Sequence, residues 1–315
     1  AVLGRAGLPD SQRRALEDRR HWRVTAEGID LYPPDAILLA MPGVPRERIY
    51  ATLAALPGNN TQQNPYSFLP DQLATRFSGA GLSPATMAVL KRLLYRRGAV
   101  FLLSDMYAAV NAVQGRAEKL ALIQAVSRKP AVMLSLHVDA RSDISALAAY
   151  WGKGGRAPSL RPLFAGLARV PGGGDIDVVN LLPDFARRRL NRFPVPSVPE
   201  DVRLQDCYWS ALNFFSEGEL TRAPGQGDLN ALLRRDYAQR PGEPVLGDLL
   251  FLVLPSGESI HAAIYVADGI VFTKNGGYLD QPWVLMRMDD VAMGYGAARV
   301  QQEPLSLLAW RRNDL

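Results

Sequence analysis

Asp206-Cys207-Tyr208-Trp209-Ser210-Ala211-Leu212-Asn213-Phe214-Phe215 holds the only cysteine in 315 residues. Trp209, Leu212 and Phe215 or Phe214 recur at helical spacing and mark one apolar face. Asp206 is a suitable N-cap, so the spacing predicts a helix with Cys207 in its first turn. A thiol there meets the positive end of the helix dipole and backbone N–H groups that have no intrahelical acceptor. Both favour the thiolate, which is the nucleophile, so a Cys207 pKa below that of an ordinary thiol is expected. The same N–H groups suit the oxyanion of an acyl transfer.

A thiol nucleophile needs a base, and one lies downstream. Gly247 to Leu254 reads as a buried strand and Pro255 to Glu258 as a turn. Ser259-Ile260-His261-Ala262-Ala263-Ile264-Tyr265-Val266 reads as a second strand. Asp268-Gly269 between apolar runs is a hairpin turn signal, and Ile270 to Asn275 forms the third strand. His261 therefore opens a central strand, downstream of a cysteine at a helix start. A lone cysteine is usually a small buried hydrophobe, and a lone histidine a satisfied structural residue. The ordered pair on these elements points instead to a thiol–imidazole dyad.

These motifs, Asp-Cys opening a helix, Gly-Asp-Leu-Leu-Phe, then His-Ala-Ala-Ile-Tyr-Val, resemble the NlpC-type papain-like cysteine peptidases. The resemblance covers roughly residues 202–311. It implies a Cys helix packed on an antiparallel sheet, with Cys207 attacking an amide carbonyl and His261 as base. It also implies a third polar residue on the next strand that orients the imidazole. Thr273 holds that position by hairpin offset, and Asn275 lies two residues on, facing the same way. The family usually carries a small residue and then Gly after its cysteine, where this chain has Tyr208 and Trp209. Substrates implied by the resemblance are bacterial cell-wall peptides. A catalytically silent binding module and a thiol acyltransferase are the alternatives. Tyr208, Trp209, Tyr278 and Trp283 are the aromatic candidates for gripping a peptide or sugar.

The rest of the chain bounds this reading. Length suggests two domains. The Gly172-Gly173-Gly174 punctuation and the Phe193–Pro199 Pro-rich run place the boundary within 171–200. The expectation is an α+β protein, with a mainly helical region over 1–192 and a papain-like domain over 193–315. Helices are expected over 10–23, 45–56, 83–97, 101–113, 117–127, 143–151, 160–170 and 178–190, with a strand near 130–139. Apolar content of 48% fits a globular core. The net charge of +5 is spread along the chain. That gives nucleic acid little support as a partner but suits an anionic polymer or a membrane surface.

No apolar run is long enough to span a bilayer. One cysteine excludes an internal disulfide framework. The first residues lack a signal peptide, so the chain reads either as an exported protein after signal removal or as one that simply begins at this boundary; a cytoplasmic location stays open. His137 and Asp139 fall on one side of a strand but lack further ligands, so a structural role is favoured over a metal site. No cofactor is called for.

Overall fold

Turn residues cut the first part of the chain into shorter pieces than periodicity alone suggests. The computed structural model describes residues 2–26, 28–194, 205–216, 226–277, 279, 281–298 and 303–315. They fall into two compact units, 1–128 with 294–302, and 129–293 with 303–315.

In the first unit the helix expected over 10–23 ends at Leu16. Trp22–Val24 (β1) and Ile29–Leu31 (β2) then form an antiparallel ribbon. Tyr66–Phe68 (β3), Tyr95–Arg97 (β4) and Val100–Leu103 (β5) make a small sheet in the order β3-β5-β4. Ser83 caps the helix Pro84–Leu93 by accepting from the Thr86 amide. That helix was expected to reach Arg97, but β4 starts at Tyr95, and Gly98 turns the chain at φ 56 into β5. Tyr95, Arg97 and Val100 alternate inward along this hairpin. The period of two outcompetes the helical one, so the helix expected from Phe101 begins only at Met106. At the centre Arg46 is fully buried and is neutralised by Asp105, which also accepts from the Tyr50 hydroxyl at 2.6 Å. A buried charge survives only with such partners.

The second unit contains Ser135–Val138 (β6) and Gly174–Asp177 (β7), paired antiparallel. Asp143 caps the helix Ile144–Trp151. The expected helix over 178–190 is split by Pro183 into a 3₁₀ turn, Val178–Leu181, and a helix, Asp184–Arg189. The main sheet is antiparallel throughout, in the order β12-β11-β10-β9-β13-β8. Its strands are Tyr237–Gln239 (β8), Leu249–Val253 (β9), Ser259–Ala267 (β10), Ile270–Lys274 (β11), Trp283–Arg287 (β12) and Ser306–Arg312 (β13). The whole is a mixed α+β protein.

The units divide at 128/129, whereas the sequence reading put the boundary in 171–200 and the domains at 1–192 and 193–315. Val138, Trp151, Phe164, Leu181 and Phe185 share one core with Trp209, Phe214, Phe251 and Phe272. Gly172 and Gly173 therefore lie in a turn inside a unit, and Gly174 opens β7. Gly/Pro punctuation marks such turns as strongly as linkers. Most of the Pro-rich run, 195–199, lies outside the described residues.

Candidate functional site

The helix Cys207–Leu212 starts where the sequence places it. The Asp206 carboxylate accepts from the Trp209 amide at 2.9 Å, a direct N-cap. A second chain of bonds fixes the same end. Trp283 Nε1 donates to Ser210 Oγ at 2.8 Å, and Ser210 Oγ donates to the Asp206 carbonyl at 2.6 Å. The helix start is thus tied to β12 through one hydroxyl, a link that no spacing rule announces.

His261 sits on β10 directly after a bulge, since the register slips between Ser259 and His261. Bulges re-aim side chains at such positions. At His261–Ala263 the strand pairs with β9, while its pairing with β11 runs from Ile264 to Ala267. In that stretch lies Ala262, whose backbone amide, with those of Tyr208 and Cys207 itself, acts to lower the pKa of the Cys207 thiol. On the imidazole, Nε2 lies 2.8 Å from Thr273 Oγ1. With Thr273 accepting, Nε2 carries the ring proton and Nδ1 keeps the basic lone pair.

All three side chains are sealed: Cys207 is 5% exposed, His261 0% and Thr273 1%. Burial dominates the electrostatics. It pushes the thiol up to about 12, the neighbouring Asp206 carboxylate adds to this, and the backbone amides oppose it. The sequence-based expectation of a lowered thiol pKa is therefore wrong for this conformation. Desolvation of the charged form outweighs the helix terminus. Burial likewise drives the His261 imidazole down to about 3. At neutral pH the pair is an uncharged thiol and an uncharged imidazole.

Thr273 and Asn275 part company. Thr273 holds the histidine, while Asn275 Nδ2 donates to Met286 Sδ at 3.2 Å. The aromatic candidates also separate. Trp209 and Trp283 are 3% and 2% exposed and belong to the core, so neither lines an open groove. With Phe185 they surround the Arg189 guanidinium, whose carbon lies 4.4, 5.1 and 5.4 Å from the Phe185, Trp209 and Trp283 rings. Trp283, expected in a loop, opens β12 because it pairs with Lys274 across the ladder. Tyr208 is half-buried and donates to the Ser259 carbonyl at 2.6 Å. Tyr278 lies outside the described residues.

Lys274 is also fully buried and donates to the Gly276 carbonyl at 2.6 Å. It opposes the rise that burial imposes on Asp206. His137 pairs with Asp175 across the β6–β7 ladder at 2.8 Å, while Asp139 accepts from the Arg141 amide and the Ser142 hydroxyl. Among the described residues no group of three or more His, Cys, Asp or Glu is placed to hold a metal ion.

No family model, no curated protein and no solved structure matches this chain.

Proposed function

We propose that the chain is a cysteine hydrolase of amide bonds, of the NlpC-type papain-like kind, acting on peptides such as those of bacterial cell walls. One observation carries the reading. A histidine held at Nε2 by Thr273 stands one residue from Ala262, whose amide favours the thiolate of a cysteine at a helix start. On this reading Nδ1 takes the thiol proton as sulfur attacks the carbonyl carbon. Backbone amides at the helix start stabilise the oxyanion. The leaving amine departs with the imidazolium proton, and water, activated by the same nitrogen, then hydrolyses the thioester.

The uncharged, sealed pair favours a second reading: a silent module that keeps the fold and binds without reacting. Alkylation by iodoacetamide, read by mass spectrometry across pH, separates the two. A hydrolase gives Cys207 alkylation near neutral pH that Cys207→Ala abolishes and His261→Ala slows, together with release of peptide fragments from purified peptidoglycan. Reaction only in strongly alkaline solution, insensitive to His261→Ala, supports the silent module.

A further inference from the structure

Tyr208 follows the cysteine directly and reaches across to the strand that carries the histidine. Its hydroxyl donates to the Ser259 carbonyl at 2.6 Å. Ser259 Oγ stands 3.1 Å from the same hydroxyl and 3.4 Å from the His261 carbonyl. The Tyr208 ring lies 6.2 Å from that of Phe251, tilted by 30°. Phe251 is the β9 partner of Ala262. A single side chain thus touches the backbone just before His261 and the residue paired with the position just after it.

These contacts fall where β10 is least constrained. Ser259 pairs with Val253 and His261 with Leu252, so Ile260 is an extra residue with no register partner on β9. A bulge of this kind interrupts the ladder and lets the strand bend. The other edge gives no help there, because pairing with β11 starts only at Ile264. Thr273 holds the imidazole ring, but a ring is aimed only as well as the backbone beneath it. Tyr208 restrains that backbone, and it does so from the first turn of the helix that Cys207 opens. Burial pushes its hydroxyl up to about 12, so the group keeps its proton and remains a donor at neutral pH.

We propose that Tyr208 is a positioning residue: its bond to Ser259 locks the β10 bulge to the start of the Cys helix and so sets how the His261 imidazole is presented to the Cys207 sulfur. This rests on the hydrolase reading, in which His261 takes the thiol proton. Proton transfer needs the two groups held at hydrogen-bond reach, and a misplacement of about 1 Å costs roughly a hundredfold in rate.

Tyr208→Phe tests the proposal, because it removes the hydroxyl and keeps the ring against Phe251. Iodoacetamide alkylation of Cys207 is followed across pH in full chains of four kinds: wild type, Tyr208→Phe, His261→Ala and the double variant. Tyr208→Phe should slow the reaction at neutral pH about tenfold when His261 is present. It should change nothing on top of His261→Ala, which is the mark of a residue acting through the histidine. A tyrosine that only supports the fold would slow or speed both backgrounds equally, and that equal change overturns the proposal. Wild-type rates in Tyr208→Phe overturn it too, and if His261→Ala still slows alkylation the hydrolase reading stands without it. A wild-type rate that His261→Ala leaves unchanged sinks the hydrolase reading itself and takes the proposal with it.

Discussion

At the scale of single residues, the hydroxyl of Thr273 matters more than its size suggests. It lies 2.8 Å from the buried Nε2 of His261. Thr273→Val keeps the shape and removes that hydrogen bond from a buried ring nitrogen, which costs about 1–3 kcal/mol. Urea melts should show that loss, and Thr273→Ser should recover most of it. If the dyad is catalytic, Thr273→Val should also slow Cys207 alkylation at neutral pH, by less than the roughly 10²–10⁴ that a general base supplies. A variant that loses stability with no change in reactivity would mean that the threonine braces a strand and nothing more. The Asp268-Gly269 turn put both Thr273 and Asn275 within the sequence's reach of His261, but the register shifts between Tyr265 and Ala267, so the turn alone does not decide which of them meets the ring. Asp268 and Gly269 adopt φ 48 and 71, as a turn with two left-handed residues requires. The thiol pKa was not legible, because it depends on how deeply the helix end is buried, and burial is a property of the assembled unit.

At the scale of elements, the Cys helix runs into a ring clamped by two glycines. A Cβ on Gly247 would lie 2.3 Å from the Phe215 ring, and one on Gly154 2.8 Å from it. Both residues also have positive φ, 89 and 71. Gly247→Ala is expected to destabilise by about 2–4 kcal/mol, combining backbone strain with overpacking. Thermal melts should show it, and Phe215→Leu in the Gly247→Ala background should return part of the loss. A neutral Gly247→Ala would mean that Phe215 moves aside at no cost. Gly-Lys-Gly-Gly at 152–155 reads in sequence only as a helix stop. Its second function, giving way to a ring from a segment sixty residues on, has no local signal. The same limit explains the unforeseen β13, whose partner β9 lies far back in the sequence. Tyr95 and Trp283 instead become strands through hairpin partners close by, Leu102 and Lys274, whereas Ser83, Asp143 and Asp206 act on their own next turn and were readable.

At the scale of the whole molecule, the site-bearing sheet depends on the last residues of the chain. β13 lies between β9 and β8, and Arg311 there forms a bidentate pair with Asp248, which is 1% exposed. Arg311→Met strands a buried carboxylate and should cost about 3–5 kcal/mol, with Asp248→Asn/Arg311→Met recovering part of it. Chemical denaturation of the three variants reads the cycle. The buried His261 and Cys207 set a pH window on top of this. His261 titrates at about 3 in the fold against an ordinary 6.5, so the unfolded chain binds its proton first as pH falls. Stability from that group is complete above about 6.5 and drains away towards 3. Cys207 is raised to about 12 from 9.0, so its contribution is complete below about 9 and is lost as pH rises towards 12. Each shift corresponds to a few kcal/mol at most, at roughly 1.4 kcal/mol per pH unit. Urea midpoints should therefore be flat between about 6.5 and 9 from these two groups and decline on both sides. His261→Gln should soften the acid limb alone, and Cys207→Ser the alkaline limb alone. Limbs that keep their wild-type slopes in both variants would mean that the dyad is solvated in solution, and that the sealed conformation is not the one the folded chain occupies.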